Sequence, residues 1–316
     1  MLKLILRRLA SMVLIMIVIS LLLFMIFDSD KFKRQRAVSE LGGYGATALS
    51  DTDYNAWLES KGLNIPLHSR YIKWAGNVLS GNFGKSHEMN RPVGPLVLER
   101  LGRTGLLALF VFALMIPIAL VLGVLAGMKE GSLRDRTISF ISVLTTSIPE
   151  IATAIILTAI FALGLGWLPT KSAMTQGFDP WQLVLPVMTL VIYDFGYVAR
   201  MTRASMAEVM TSQYIRTAIL KGIPYPRVIM RHALRNALIA PFTVIVLQLN
   251  WLLSGVVVVE VFFQYNGFGR LLLQAALYPD VEVIQAATLV AVFIAVLSQI
   301  ISDVGYTFLN PRIRFS

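Results

Sequence analysis

The chain has 316 residues, 56% of them hydrophobic and only 15% charged, and a mean hydropathy of +0.69. A water-soluble fold of this size cannot bury so much apolar surface, so the excess faces lipid. There are no cysteines, which excludes disulfide frameworks, thiolate metal sites and thiol catalysis. The net charge of +10 lies between long apolar runs instead of forming one basic patch, which points to membrane topology and away from nucleic acid.

Residues 1–30 read as an N-terminal transmembrane anchor. Lys3, Arg7 and Arg8 form a basic head, Leu9 to Phe27 is long enough for a hydrocarbon core of about 30 Å, and no small-residue cleavage site follows. Residues 31–103 are polar and of mixed charge, with turn signals at Gly42-Gly43, Asn64-Ile65-Pro66 and Gly81-Asn82-Phe83-Gly84. They predict an extracytoplasmic segment whose few aliphatic residues make too thin a core for an independent domain.

Residues 104–309 then carry five further apolar spans, at about 104–128, 137–165, 183–198, 237–259 and 283–308. Pro149-Glu150 interrupts the second of these, and Trp167 and Trp181 flank the loop after it as interface anchors. The predicted fold is an all-α integral membrane protein with six transmembrane helices. Lys and Arg concentrate at the N-terminus, in the 129–136 hairpin, in the stretch 200–235 and in the tail 310–316, whereas the short loops on the other side hold Lys171 and Arg270. By the positive-inside rule both termini are cytoplasmic and the protein is multi-pass.

The stretch Tyr214 to Leu238, YIRTAILKGIPYPRVIMRHALRNAL, is too long and too ordered for a simple connection. It reads as helix, break, helix. Gly222 suits a left-handed cap, Pro224 and Pro226 stop the first helix, and a second helix starts near Arg227. Thr217 and Ala218 are small enough to admit a partner surface, while Arg216, Lys221, Arg227 and Arg231 offer charge to acidic or polar edges. These are the features of a docking element.

Two carboxylates fall at membrane depth. Glu150 lies about 21 Å along a helix beyond Arg136, and Asp194 lies within the inner half of its span. Ionisable groups there face a cavity or a partner and are candidates for a substrate pathway, together with Asn250. Gln248, Ser254 and Gln299 read as interhelical hydrogen-bonding groups, and Asp303 as the partner of a basic loop residue. Gly84-Lys85-Ser86 lacks the earlier glycine of a phosphate loop, since position 79 is Leu. His68, His87 and His232 are scattered, and neither a metal-ligand spacing nor a Gly-x-Ser-x-Gly elbow occurs, so no catalytic or metal site is expected.

RTAILKG followed by RHALRNA resembles the loop that permease subunits of ABC importers insert into their ATPase, in the form found in the dipeptide and oligopeptide (peptide, nickel, opine) branch. GLNIP, RYIKW, GNFGKS, RPV, GWLPT, VEVFFQYNGFGRLL and DVGYTFLNPRIR are similar to that branch's other signatures, so the resemblance covers nearly the whole chain. The chain departs from it at Phe27-Asp28-Ser29-Asp30, where the branch carries Pro-Gly-Asp-Pro, and at Asn82, Gly102-Arg103 and Asn310.

The resemblance implies a type I permease core of five helices plus the anchor and the insert, in the bacterial inner membrane. It implies a non-catalytic pore subunit of the first-permease type, coupled to ATPase through Arg216, Thr217, Ala218, Lys221, Gly222, Arg227, Arg231 and His232. The implied partners are a second permease, of paralogous sequence, two ATPase subunits carrying ATP and Mg, and an extracytoplasmic solute-binding protein. This chain itself would bind no cofactor. Peptides are the implied cargo, with oligosaccharides, opines or nickel complexes as alternatives. An ion-driven secondary transporter would use the same carboxylates but predicts inverted repeats, and none is evident. A membrane scaffold would not need them.

Overall fold

A computed structural model describes residues 2–41, 49–175, 177–278 and 280–309, with backbone alone at 2–5, 39, 249–255, 302, 304 and 306–309. Its described elements are helices: α1 (Leu2–Phe27), α2 (Asp30–Leu41), α3 (Asp51–Ser60), α4 (Leu67–Leu79), α5 (Val93–Gly127), α6 (Leu133–Ser147), α7 (Glu150–Leu157), α8 (Trp181–Met210), α9 (Gln213–Leu220), α10 (Tyr225–Arg227), α11 (Leu234–Ala237), α12 (Ile239–Phe262), α13 (Phe268–Leu277) and α14 (Val281–Leu309). Wider π turns extend α7 over Thr158–Gly164 and join α10 to α11 over Val228–Ala233. The tail 310–316 lies outside the described residues.

Among the described residues, four helices are long and apolar enough to cross a membrane: Leu6–Phe27, Val93–Gly127, Trp181–Met210 and Val281–Ile301. Two bent pairs raise the number to six if each pair is one span. The pair Leu133–Ser147 and Glu150–Gly164 turns through 99°, so the run expected over 137–165 is a broken element and not one rod. Pro149 causes the break: the residue before a proline is driven out of the helical region, and Ile148 sits at φ −88°, ψ 124°. The chain restarts with Ala152 and Thr153 donating to the Pro149 carbonyl.

Two other helices outrun their apolar stretches. α5 begins at Val93 although hydrophobicity predicts a start near 104, because Leu, Glu and Arg propagate a helix whether or not lipid surrounds it. α8 likewise runs to Met210, so the first third of the polar stretch 200–235 is helix continuous with the span.

The chain divides into two compact units, Met1–Gly102 with Leu271–Leu297, and Arg103–Arg270 with Ser298–Ser316. In the first, the polar segment is not a separate body: it packs with α1 and with the start of α14. Asp280, 2% exposed, accepts from Ser86 Oγ at 2.6 Å and from the Glu88 N–H at 3.2 Å, so the serine of Gly84-Lys85-Ser86 anchors a turn to the α14 N-terminus. Ala37, Tyr54 and Trp57 form a small core. Above it Glu40, its side chain 5% exposed, accepts from Arg36 Nε at 2.9 Å and Trp57 Nε1 at 3.0 Å and pairs with Lys61.

In the second unit α8 is the central helix, packed by α6, α7 and α12. The core comprises Leu107, Val111, Met115 and Ala119 of α5, Leu185, Leu190 and Phe195 of α8, and Val259, Phe263 and Tyr265 at the end of α12. Glycines set the spacing. A Cβ on Gly123 would stand 2.5 Å from Thr202 Cβ, one on Gly127 2.5 Å from the Arg203 carbonyl, and one on Gly196 2.4 Å from the Ser142 carbonyl. Gly123 and Gly127 are a small-xxx-small pair that brings α5 backbone against α8, and Gly196 does the same for α6.

The Glu40 cluster gives the first unit a pH signature. Burial alone would raise the Glu40 carboxyl, but hydrogen bonds from Lys61, Arg36 and Trp57 outweigh it and bring the group from 4.5 down to about 2. A depressed carboxyl contributes stability that is complete above its unfolded value and is lost as pH falls through the folded one. The hydrogen-exchange protection factors of Asp51–Ser60, corrected for the intrinsic rate at each pH, are therefore expected to fall between pH 4.5 and about 2. Glu40→Gln should exchange faster at pH 7 and lose that dependence; an unchanged profile in the variant would remove the Glu40 assignment.

Candidate functional site

α8 is capped at Thr211, whose N–H reaches the Glu208 carbonyl at 3.3 Å, while the Ser212 N–H reaches the Val209 carbonyl at 3.0 Å. Ser212 is extended at φ −68°, ψ 150°, and α9 starts one residue later. Its inner face, Ile215 and Ala218, packs with Met206, Val228, Ile229, Ala233 and Ala237 in a second core. Its outer face presents Arg216, Thr217, Leu220 and Lys221, with Leu220 79% exposed. The C-terminus closes as the sequence predicts. Gly222 sits at φ +74°, its N–H reaches the Ile219 carbonyl at 2.9 Å, and the Ile223 N–H reaches the Ala218 carbonyl at 3.3 Å. This is a Schellman cap, and Ile223 seals it by packing on the same core as Ala218.

The second helix starts earlier than expected, at Tyr225, with Pro224 at the cap and Pro226 in the first turn, where a missing N–H does no harm. Arg227 and Arg231 are exposed and His232 is half-buried. Asn236 Nδ2 donates to Tyr214 Oη at 3.0 Å and ties the two helices together. Of the residues expected to meet a partner, Ala218 is the correction. It is 7% exposed, and its small size serves the seam within the chain, because the periodicity that places Arg216 and Leu220 outside turns position 218 inward.

About two turns before the end of α8 lies an ion pair that the sequence did not single out. Asp135, 3% exposed, receives Arg203 as a fork, Nε to Oδ1 at 2.7 Å and Nη2 to Oδ2 at 2.8 Å. The Gly131 N–H at 2.9 Å and Ser139 Oγ at 3.2 Å complete the carboxylate's shell. The 129–136 hairpin is thereby locked to α8, and Tyr225 Oη reaches the Met128 carbonyl at 3.4 Å. Two basic residues expected merely to mark the inner side thus flank a buried acid whose Ser132-x-x-Asp135 spacing is a helix-start signal.

Asp194 lies four turns before the end of α8 and is 2% exposed. Its Oδ1 accepts from Gln248 Nε2 of α12 at 2.9 Å, and its Oδ2 is buried without a hydrogen-bond partner. It lines a cavity of 200 Å³ with Thr146, Tyr193, Tyr197, Arg200 and Gln248. Glu150, half-buried, opens the first turn of α7, which packs on α8, and its Oε2 is likewise without a partner. It does not line the Asp194 cavity. The Asn250 side chain lies outside the described residues. Asp303 accepts from Gln299 Nε2 at 3.3 Å, within its own helix.

A further buried acid is Glu260, 0% exposed, within VEVFFQYNGFGRLL. Thr104 Oγ1 donates to its Oε1 and the Arg270 N–H to its Oε2 at 2.8 Å, while the Phe268 N–H donates to Thr104 Oγ1 at 2.8 Å. A Cβ on Gly267 would lie 1.9 Å from Glu260 Oε1. The glycines of that run exist to let the chain wrap a carboxylate, and the signal in the sequence was an acid seven residues before Gly-x-Gly.

Residues 119–315 match the model of the family described as binding-protein-dependent transport system inner membrane component. The chain belongs to that family. It is 33% identical to a probable peptide ABC transporter permease protein of Sinorhizobium fredii, over 98% of this chain and 99% of the relative. It is 35% identical to an oligopeptide transport system permease protein of Bacillus subtilis, over 84% and 87%, and 32% identical to a glutathione transport system permease protein of Salmonella paratyphi A, over the full length of both. The family's members are inner-membrane subunits of ABC transporters that work with a binding protein and an ATPase and are normally non-catalytic themselves. The segments that carry α8, α9 and Glu260 all lie within the matched region.

Removing one partner of a buried ion pair leaves the other charge uncompensated. Arg203→Leu is expected to destabilise this permease by about 3 kcal/mol, the lower end for such pairs because the arginine keeps some solvent contact. The check is the thermal unfolding midpoint in detergent, and an unshifted midpoint would show that the clamp is dispensable.

Proposed function

We propose that this permease forms half of the translocation pore of an ATP-driven importer for peptides or related small solutes, and that the exposed face of α9 is where ATPase motion enters it. The observation that carries this reading is the Schellman-capped α9, which projects Arg216, Thr217, Leu220 and Lys221 while its inner face is fused to α8 and α10. An exposed leucine between two cations suits a cleft with an apolar floor and acidic rims. Arg227 and Arg231 add charge beside it, with half-buried His232 next in the chain.

In this reading the N-terminus and the 129–136 hairpin are cytoplasmic, as the Lys and Arg distribution favours. A second, paralogous permease supplies the other half of the pore. Two ATPase subunits, holding the ATP and Mg, dock on the two α9 faces, and an extracytoplasmic binding protein delivers cargo. The peptide assignment rests on what the relatives are named for; oligosaccharides, opines and nickel complexes are the other cargo classes.

Asp194 and Glu150 supply the polar contacts of the path. The Asp194 cavity holds an unpartnered carboxylate oxygen on one side and Arg200 on another, opposite charges suited to a zwitterion. The expected outcome of Asp194→Asn in proteoliposomes with all subunits is an uptake of amine-bearing peptide lower by about tenfold, the worth of one charge-assisted hydrogen bond. ATPase co-purification should be retained, and equal uptake would take Asp194 out of the path.

The docking assignment is tested at Gly222. A β-branched residue at positive φ costs about 1–2 kcal/mol, whereas Asn tolerates that region. Gly222→Val and Leu220→Glu are expected to abolish co-purification of the ATPase and uptake while the chain still inserts, and Gly222→Asn to keep most of both. Full uptake in the first two variants would overturn the reading.

A further inference from the structure

The first unit contains a cavity that neither the pore nor the docking face uses. It has a volume of 300 Å³, the space of about ten waters, and lies where the end of α1 meets α2, α4 and the start of α14. Five cations line it: Lys33, Arg36, Lys61, Arg70 and Lys73. The carboxylates available to them are fewer and shared. Asp28 pairs with both Lys33 and Arg70, Glu40 with both Arg36 and Lys61, and Glu282 takes Arg36 Nη2 at 2.7 Å. Lys73 is exposed and makes no ion pair among the described residues. The cluster therefore keeps an excess of two positive charges beside an apolar wall of Phe24, Phe27 and Trp74.

Its depth is fixed by α4. Tyr71 Oη and Ser20 Oγ are 2.8 Å apart, and Ser20 lies about 10 Å back along α1 from Phe27. Phe24 meets both Tyr71 and Trp74 edge to face at ring separations of 5.3 and 5.2 Å. α4 thus runs beside the last turns of α1, with Ile72 68% and Leu79 90% exposed. Apolar residues bare to the outside, aromatic rings at the helix end and cations behind them are the pattern of a helix lying in a bilayer interface. α1 itself is apolar and nearly bare along its span, 6% buried within the chain, as suits a lipid-facing helix.

We propose that this cavity binds the phosphate of an anionic glycerophospholipid, with Lys73 and Arg70 on the phosphate and Phe27 and Trp74 against the start of the acyl chains. The occupant is a lipid and not a free anion because the cations stand at the edge of a hydrocarbon layer and share the cavity with aromatic wall. The inference requires that α1 crosses the bilayer and does not depend on the pore or docking assignments. Asp28, which burial would raise, is held below its ordinary value by Lys33 and Arg70, so it remains ionised and keeps those two cations in place at neutral pH.

The test is native mass spectrometry of the full chain released from micelles containing phosphatidylglycerol, phosphatidylcholine or inorganic phosphate. The wild type is expected to retain one phosphatidylglycerol in preference to phosphatidylcholine. Lys73→Gln should weaken that retention about fivefold, the effect of one cation near an anionic headgroup, and Lys85→Gln, in the same segment but outside the cavity, should not. Circular dichroism checks that Lys73→Gln keeps its helix content. Equal retention by wild type and Lys73→Gln would overturn the proposal, as would an equal loss in Lys85→Gln, the mark of diffuse surface charge. Displacement by inorganic phosphate at the same concentration would mark a free-anion site and overturn it too.

Discussion

Backbone-to-backbone contact along α8 is the constraint from which the second unit follows. At Gly123, Gly127 and Gly196 the neighbouring helices approach so closely that an added methyl would meet a carbonyl or a Cβ at 2.4–2.6 Å. In lipid, helices gain nothing from leaving water, and association depends on such close packing. α5 and α6 are consequently fixed to α8 over its whole inner half. The fork from Arg203 to Asp135 extends the fixation past the apolar region into the polar end of the helix.

A rigid α8 has a mechanical consequence. From Asp194 to Met210 it runs about 24 Å without a break, and only Thr211 and Ser212 separate it from α9. The α9 inner face is embedded in a core that includes Met206 of α8 and Val124 and Met128 near the end of α5. In the proposed coupling, a displacement applied to Leu220 would be carried by packed side chains and continuous helix to the carboxylate in the cavity. The places that can bend lie elsewhere, at the 99° break before Pro149 and the 50° bend between α11 and α12. Both flank α8 without interrupting it, so hinge motion, in the proposed transport cycle, would be taken up around the rod and not within it.

The sequence made α9 legible because its signals are local. Gly222 demands positive φ, Pro224 ends one helix and permits the next, and these need no knowledge of the rest of the chain. The direction of Ala218 was not legible, since a small residue on an exposed helix and one in a seam look alike until the partner helices are placed. Glu260 and Asp135 were passed over for the related reason that their partners lie far along the chain, at Thr104 and Arg203. Hydropathy located the spans but not the ends of α5 and α8, because helix formation continues where lipid stops. It also carried no information on how sharply Pro149 turns the chain.

The buried acids differ in how completely the chain surrounds them. Asp135 has four donors on its two oxygens, Asp280 is held by Ser86 and two backbone N–H groups, and both Glu260 oxygens are occupied with two glycines cleared to make room. Each is saturated and fixes a turn or a hairpin. Asp194 has one donor, Gln248, and an oxygen without a hydrogen-bond partner beside a cavity. Leaving a buried carboxylate incompletely solvated costs stability, and Asp135, Asp280 and Glu260 show that this chain can surround an acid more fully. That incompleteness is what supports the proposed role in transport, in which the missing donor would come from something that enters the cavity and leaves it again.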